Sequence, residues 1–256
     1  MRSIAIKEIK EMLTNITDEN DPLLTELAND SRKGAQSLLQ KWKREKSAQV
    51  KDKERFVRMT EHEREARIEG YEWIAGIDEA GRGPLAGPVV SAAVILTPDS
   101  YIEGLNDSKK VSEKNRARLY EAIMREAIAV GVGIIQSEEI DQVNIYEAAK
   151  KSMLSAVQNL PKKPDMLFID AMTLNSIYPE KTFIKGDAIS VSIAAASIIA
   201  KVTRDRIMEK YNEQYPEYGF SSHMGYGTKS HIEAIQAFGP CPIHRISFEP
   251  IKSLIK

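Results

Sequence analysis

Ile77-Asp78-Glu79-Ala80-Gly81-Arg82-Gly83-Pro84-Leu85-Ala86-Gly87-Pro88 is the stretch on which the reading of the fold turns. It closes an apolar run, Trp73 to Asp78, with two adjacent carboxylates, and then sets a glycine on either side of one arginine. A second apolar run, Val89 to Leu96, begins directly after this Gly/Pro-rich turn, so the two read as strands joined by a connection. Successive side chains of a strand point to opposite faces, so Asp78 and Glu79 can serve one site only if the chain leaves regular strand geometry there. Gly81 and Gly83 permit that departure.

Working outward, Val130 to Gln136 reads as a third strand, Met166 to Asp170 as a short buried fourth and Thr182 to Lys185 as a fifth. Helices are expected from about Ser112 to Ile128 and from Ile145 to Leu160. A further helix, Ile189 to Lys201, is rich in alanine and serine, which suits close packing on a sheet. Strands alternating with helices from Tyr71 onward are the grammar of a layered α/β domain. Residues 1–70 differ: they are highly charged, lack strand-like runs, and place Ile9, Met12, Leu13 and Ile16 at helical spacing. Asp21-Pro22 marks a helix start, and Gln36 to Arg67 reads as one or two helices. The expected division is therefore a helical N-terminal extension, 1–70, and a catalytic domain, 71–256.

Bulk composition narrows the function classes. A formal net charge of -1 over 256 residues offers no overall positive field, so nucleic-acid binding has to come from local basic patches. Cys241 is the single cysteine, which excludes an internal disulfide and any zinc site built on several thiolates. Charge interrupts Met1 to Glu8 before a signal-peptide core could form, and no apolar run approaches a membrane span. A cytoplasmic protein without membrane contact is expected. The stretch from Arg32 to Arg58 carries ten basic residues against three acidic ones; it is either a solvated helix face or an arm that tracks phosphates, with Trp42 stacking on a base or anchoring the helix.

Two further carboxylates follow apolar runs: Asp170 ends the fourth strand, and Asp187 lies at a strand-to-helix passage after Lys185-Gly186. Ligands in open α/β sheets gather just beyond strand ends, so Asp78, Glu79, Asp170 and Asp187 are candidates to converge. Four such groups repel unless a cation joins them. Oxygen donors without histidine or cysteine favour Mg2+ or Mn2+ over zinc, the setting of two-metal phosphodiester hydrolysis. The bland alternative makes Asp187 an ordinary helix cap. Gly81 and Gly83 expose backbone amides while Arg82 reaches a phosphate, or else they form a plain turn. Tyr226, between Gly225 and Gly227, is displayed to stack on a sugar or base, or else is a core tyrosine. His223 and His231 flank that turn without metal-ligand spacing.

These residues, with Leu105-Asn106-Asp107-Ser108-Lys109-Lys110, Lys185-Gly186-Asp187, Ser192 to Ile198 and Gly225-Tyr226-Gly227-Thr228, form an ordered pattern between about Trp73 and Phe248. The chain resembles bacterial ribonuclease HII, the type 2 ribonuclease H. The resemblance implies a ribonuclease H-like mixed five-stranded sheet flanked by helices. Its acidic metal site falls on Asp78, Glu79, Asp170 and Asp187, its 2′-hydroxyl-reading element on Gly81, Arg82 and Gly83, and its junction-sensing tyrosine on Tyr226. The implied activity is hydrolysis of the RNA strand of RNA/DNA hybrids and incision 5′ of ribonucleotides embedded in duplex DNA, by two-metal-ion catalysis with Mg2+ or Mn2+. The products carry 3′-hydroxyl and 5′-phosphate ends, in support of ribonucleotide removal from DNA. A monomer is expected, with contact to nucleic acid or protein through the extension left open.

Two positions depart from the pattern: Ala171 follows Asp170 where glycine is frequent, and Met224 stands where lysine often precedes the Gly-Tyr-Gly turn. The sister type, ribonuclease HIII, usually lacks the glycine-arginine-glycine element and carries a strand-rich N-terminal domain. Two rival readings are a DNA-only nuclease of the same topology and a binding module with a silent site; the complete set of four acids argues against the second.

Overall fold

The computed structural model describes residues 4–254, so the first three residues of the charged start lie outside the described residues. The chain divides into two compact units, Met1–Arg55 and Phe56–Lys256.

In the first unit, α1 spans Ile6–Asn15, α2 spans Pro22–Ala28, and α3 begins at Lys33 and runs on to Met59. Asp21 caps α2 by accepting a hydrogen bond from the Leu23 amide at 2.9 Å, with Pro22 at the first helical position. Ile9, Leu13, Ile16, Leu23, Leu24, Leu27 and Leu39 bury one apolar cluster; Met12, expected on the same stripe, is exposed. Trp42 lies inside this cluster, 8% exposed, which removes it from base stacking and makes it an anchor within its own unit.

The second unit is built on a five-stranded sheet of order β3-β2-β1-β4-β5. The strands are β1 Ile74–Ala80, β2 Val89–Ile95, β3 Ala129–Ile135, β4 Met166–Asp170 and β5 Glu180–Phe183. β1 pairs antiparallel with β2 and parallel with β4, which gives the expected mixed sheet. The fifth strand starts and ends two residues before its expected position; its end precedes Lys185, whose left-handed φ of 58° breaks the extended run. The helices are α4 Glu61–Ile68, α5 Glu113–Glu126, α6 Ser137–Val143, α7 Ile145–Gln158, α8 Val191–Gln214, α9 Phe220–His223, α10 Lys229–Phe238 and α11 Ile251–Leu254. α8 continues 13 residues past the apolar segment that announced it.

Helices α5 and α8 cover one face of the sheet around Ala92, Val94 and Leu119, whereas α7 covers the other around Ala75, Ile77 and Ile169. Along the chain the boundary falls within α3, after Arg55, earlier than the change of composition near residue 70, because Phe56, Met59 and Ala66 are buried with the sheet's own clusters. Glu63 of α4 is 2% exposed, and its Oε1 accepts from the Ser190 and Ser192 hydroxyls at 2.6 and 2.7 Å and from the Ser192 amide at 3.1 Å. Among the described residues no helix is long and apolar enough to cross a membrane.

The start of α8 lies directly on β1. A Cβ on Gly76 would sit 2.0 Å from the Ser192 carbonyl carbon and 2.2 Å from the Ile193 amide nitrogen, so only glycine allows this approach. Because those atoms belong to backbone, the helix itself would have to move. Gly76→Ala is expected to destabilise the protein by about 3 kcal/mol through overpacking, read as a lower urea midpoint at unchanged slope. An unshifted midpoint would show that α8 is not seated as described.

Candidate active site

The register of the parallel pair places two of the acids side by side. Ile77 lies opposite Ile169, so Asp78 and Asp170 occupy the next step along adjacent strands, roughly 4.8 Å apart in the pairing direction. Ile77 and Ile169 both pack into the α7 cluster, which turns Asp78 and Asp170 to the α8 face. There the Ser197 hydroxyl of α8 donates to Asp78. Contrary to the sequence expectation, β1 does not end at Asp78: Asp78 and Glu79 stay in the ladder opposite Ala92 and Ser91, and the chain departs only after Ala80. The pairing with β4 stops at Ile77, however, so both acids border the open end of the parallel pair.

Asp187 follows the end of β5. It lies in a single 3-10 turn, Gly186–Ala188, whose Gly186 amide donates to Asp170 Oδ1 at 2.6 Å. That bond fastens the Asp187 turn to the end of β4. The cap of α8 is Ser190, whose hydroxyl accepts from the Ile193 amide, so Asp187 is not the helix cap.

Electrostatics tie the acids into one system. Burial pushes the Asp78 carboxyl well above the usual range, and the charges of Glu79 and Asp170 push it further, against the Ser197 hydroxyl and the Glu79 amide. Burial also raises Glu79, opposed by the Arg82 guanidinium at 3.3 Å. Asp187 is raised to about 6 by burial and by the charges of Asp107 and Asp170. Asp170 is thus the common neighbour of the other three. Asp107 hydrogen-bonds Asp187, and the positive charge of Lys109 acts on both Glu79 and Asp187. Among the described residues no three acidic, histidine or cysteine side chains are drawn together as a ready-made cation cage.

Beside the acids, a cleft of about 230 Å³ is lined by Glu79, Arg82, Gly83, Lys109, Lys201 and Tyr226, among others. Gly81 has a φ of +96°, and a Cβ there would sit 2.1 Å from Arg204 Nε; its smallness is required by the protein's own interior. Gly83 is different. A Cβ on it would meet only Tyr226 Cε1, at 3.7 Å, so nothing inside the fold demands a glycine there. Tyr226 itself is 48% exposed, which excludes the core-tyrosine alternative.

A model of the family described as Ribonuclease HII matches residues 75–251, and a second, described as the Ribonuclease HII N-terminal domain, matches residues 5–67. The chain belongs to the ribonuclease HII family. A ribonuclease HII of Bacillus anthracis (strain CDC 684 / NRRL 3495) is 54% identical over the whole of both chains, and one from Geobacillus sp. (strain WCH70) is 52% identical over all of this chain and 92% of its own. Among solved structures, ribonuclease H2 from Pyrococcus horikoshii OT3 superposes with a TM-score of 0.62 at 28% identity, covering 71% of this chain and 96% of that one. Bst-RNase HIII in complex with Mn2+ shares the fold at a TM-score of 0.57 and 21% identity, over 72% of this chain and 69% of that one. As a ribonuclease HII, the protein is a ribonuclease H hydrolase, an endonuclease of RNA/DNA substrates.

Ribonucleases H depend on a divalent metal, and the residues here fit one by donor chemistry. All four acids offer hard oxygens, Asp78 and Glu79 are both raised by burial and by the charge of Asp170, which a cation would relieve, and Glu79 Oε2 is buried without a hydrogen-bond partner among the described residues.

Sequence reasoning passed over several residues of this ribonuclease HII site. Ser197 and Asp107 lay inside quoted motifs, so position could have flagged them. Arg204 and Arg245 carried no signal, yet they are 1% and 0% exposed. Burial lowers them to about 10 and about 9, the latter also through the charge of Arg204, and both stay cationic at neutral pH.

The two flanking histidines join His244 behind the Tyr226 turn. His244 Nδ1 accepts from the Cys241 amide at 2.9 Å, so its Nε2–H donates to His231 Nε2 at 2.9 Å, and His231 Nδ1–H in turn donates to the Tyr226 carbonyl at 2.9 Å. This relay requires both rings to be neutral. Burial, reinforced by His231, accordingly lowers His244 from 6.5 to about 4. A histidine lowered in the folded state binds its proton first in the unfolded chain, so its stabilisation is complete above pH 6.5 and is lost as pH falls toward about 4. The loss reaches roughly 3 kcal/mol. The raised carboxylates act in the opposite direction, so the comparison needs His244→Asn, whose amide oxygen can replace Nδ1 as acceptor. Denaturant unfolding between pH 7 and pH 4 is expected to show a less steep acid loss in the variant; parallel pH profiles would refute the neutral relay.

Proposed function

We propose that this ribonuclease HII cuts on the 5′ side of ribonucleotides embedded in duplex DNA as well as within the RNA strand of hybrids, leaving 3′-hydroxyl and 5′-phosphate ends, and so supports ribonucleotide removal from DNA in the cytoplasm. The reading is carried by Gly83. Its missing side chain opens space toward the exposed ring of Tyr226, next to four coupled acids, and no neighbour in the fold accounts for that space. A sugar edge fits there, with its 2′-hydroxyl within reach of backbone amides.

Asp78, Glu79, Asp170 and Asp187 would hold Mg2+ or Mn2+, with Asp78 and Asp170 as central ligands. When bound, a pair of such ions supplies an activated water and charge stabilisation for the leaving oxygen. The chain's own residues do the rest. Arg82, anchored by Glu79 at 3.3 Å, presents its guanidinium to the phosphate next to the ribose. The amides of Arg82 and Gly83 hydrogen-bond the 2′-hydroxyl. Tyr226 stacks on the deoxyribose that follows and senses the junction. Lys109, whose charge acts on Glu79 and Asp187, offsets negative charge at the rim of the cleft.

The catalytic part is assigned to 71–256 and the helical extension to 1–70; the enzyme acts as a monomer, and the basic face of α3 is a candidate contact for nucleic acid or protein. Archaeoglobus fulgidus RNase HII, 25% identical over 69% of this chain and 95% of its own at a TM-score of 0.59, has been solved in complex with PCNA, so a protein partner has precedent in the fold.

Asp170→Asn is expected to lower cleavage on the order of a thousandfold while retaining hybrid binding in a gel-shift assay. Undiminished cleavage would refute the ligand assignment. Tyr226→Ala should cost about tenfold more at a single embedded ribonucleotide than on a long hybrid, from the loss of one stacking contact. Equal losses on the two substrates would count against junction sensing.

A further inference from the structure

Two cations buried behind the substrate cleft make all their hydrogen bonds, among the described residues, to main-chain carbonyls. Arg245 donates from Nη2 to Gly81 O at 2.6 Å, from Nη1 to Arg82 O at 2.9 Å, and from Nε and Nη2 to Gly87 O at 3.0 and 2.8 Å. Arg204, from α8, donates from Nε to Pro88 O at 3.0 Å, from Nη2 to Ala86 O at 3.0 Å and from Nη1 to Met224 O at 2.9 Å. In a trans peptide the C=O and the N–H of the same unit point in opposite directions. The Gly81 carbonyl shares its peptide with the Arg82 amide, and the Arg82 carbonyl shares its peptide with the Gly83 amide. By drawing these two oxygens inward, Arg245 turns the two amides outward, and neither amide has an acceptor among the described residues. Arg204 acts at the other end. It fastens the close of the same loop to Met224, two residues before Tyr226, alongside the Leu85 amide's bond to Gly225 O at 2.8 Å.

We propose that Arg204 and Arg245 are positioning residues for sugar selection: Arg245 aims the Arg82 and Gly83 amides at the 2′-hydroxyl, and Arg204 sets their spacing from Tyr226. This rests on the assignment of Gly83 and Tyr226 to sugar reading made above. Lysine cannot take either place, because one ammonium lacks the planar fork that reaches several carbonyls in fixed directions. A purely structural role would also make both residues matter, but for stability alone.

The test uses the full chain without metal, in EDTA, with two duplexes that differ only in one embedded ribonucleotide. Fluorescence anisotropy gives the affinity ratio, ribonucleotide over all-DNA, and thermal melting is followed in parallel. Arg245→Lys is expected to lower that ratio about tenfold, the scale of one lost hydrogen bond to the sugar. Arg204→Lys should lower it as well and should remove most of the further effect of Tyr226→Ala, because the ring is then no longer held in register with the loop. The two variants alter different elements, so each is read independently of whether the other folds. A lowered melting temperature with an unchanged ratio in a folded variant overturns the proposal. Gly83→Ala separates the two levels of inference: if it abolishes the ratio while both lysine variants preserve it, the sugar-reading assignment stands and the positioning role fails. If the unaltered protein shows no preference for the ribonucleotide, the assignment itself fails, and the positioning role with it.

Discussion

Parallel pairing of β1 with β4 is the constraint on which the site depends. The step after Ile77 and Ile169 puts Asp78 and Asp170 on neighbouring strands with the same facing, at the point where the ladder stops. Two carboxylates at strand spacing inside a covered sheet are unfavourable by themselves. The fold tolerates them because the Gly186 amide donates to Asp170 and the Ser197 hydroxyl reaches Asp78 from α8; the turn that carries Gly186 also delivers Asp187. Fold and site are therefore set by one register: with β1 held by β2, a slip of β4 by one residue would turn Asp170 away from Asp78 and into the α7 core.

The acids and the Gly81-Arg82-Gly83 loop are managed by opposite means. Around the acids, burial and like charge accumulate, leaving Glu79 Oε2 without a partner. Behind the loop, positive charge is spread over carbonyl dipoles, with seven hydrogen bonds from two guanidinium groups. The first arrangement suits a bound cation, which would relieve that charge. The second suits a backbone that must not move.

Much of this was legible in the sequence because it depends on local signals. Asp78 and Asp170 ended apolar runs, Asp21-Pro22 announced a helix that does begin there, and Tyr226 between glycines is indeed exposed. Where the signal was not local, the reading stopped short. Asp187 could equally have been a cap until Ser190 was seen in that role. The strand that seemed to end at Asp78 runs on to Ala80, because the antiparallel neighbour β2 supports it after the parallel neighbour has stopped. Nothing in the local sequence around Arg204 and Arg245 foretells the burial of a guanidinium; their partners are carbonyls 116 to 164 residues away, apart from Met224. Ala171 marks a subtler case. Its φ of 50° lies in the left-handed region, which gives a physical reason why glycine is frequent after this aspartate and implies strain of about 1 kcal/mol in the present chain.

Glu63 carries a lesson for anyone recombining members of this family. The N-terminal family segment, 5–67, includes it, yet its carboxylate grips Ser190 and Ser192 at the root of the helix that supports the acids. A chimera joined at the boundary between the two family segments would import a foreign α4 and leave these serines facing whatever residue the donor supplies. A crossover placed upstream of Phe56, within α3, would carry the native clasp along with the nuclease.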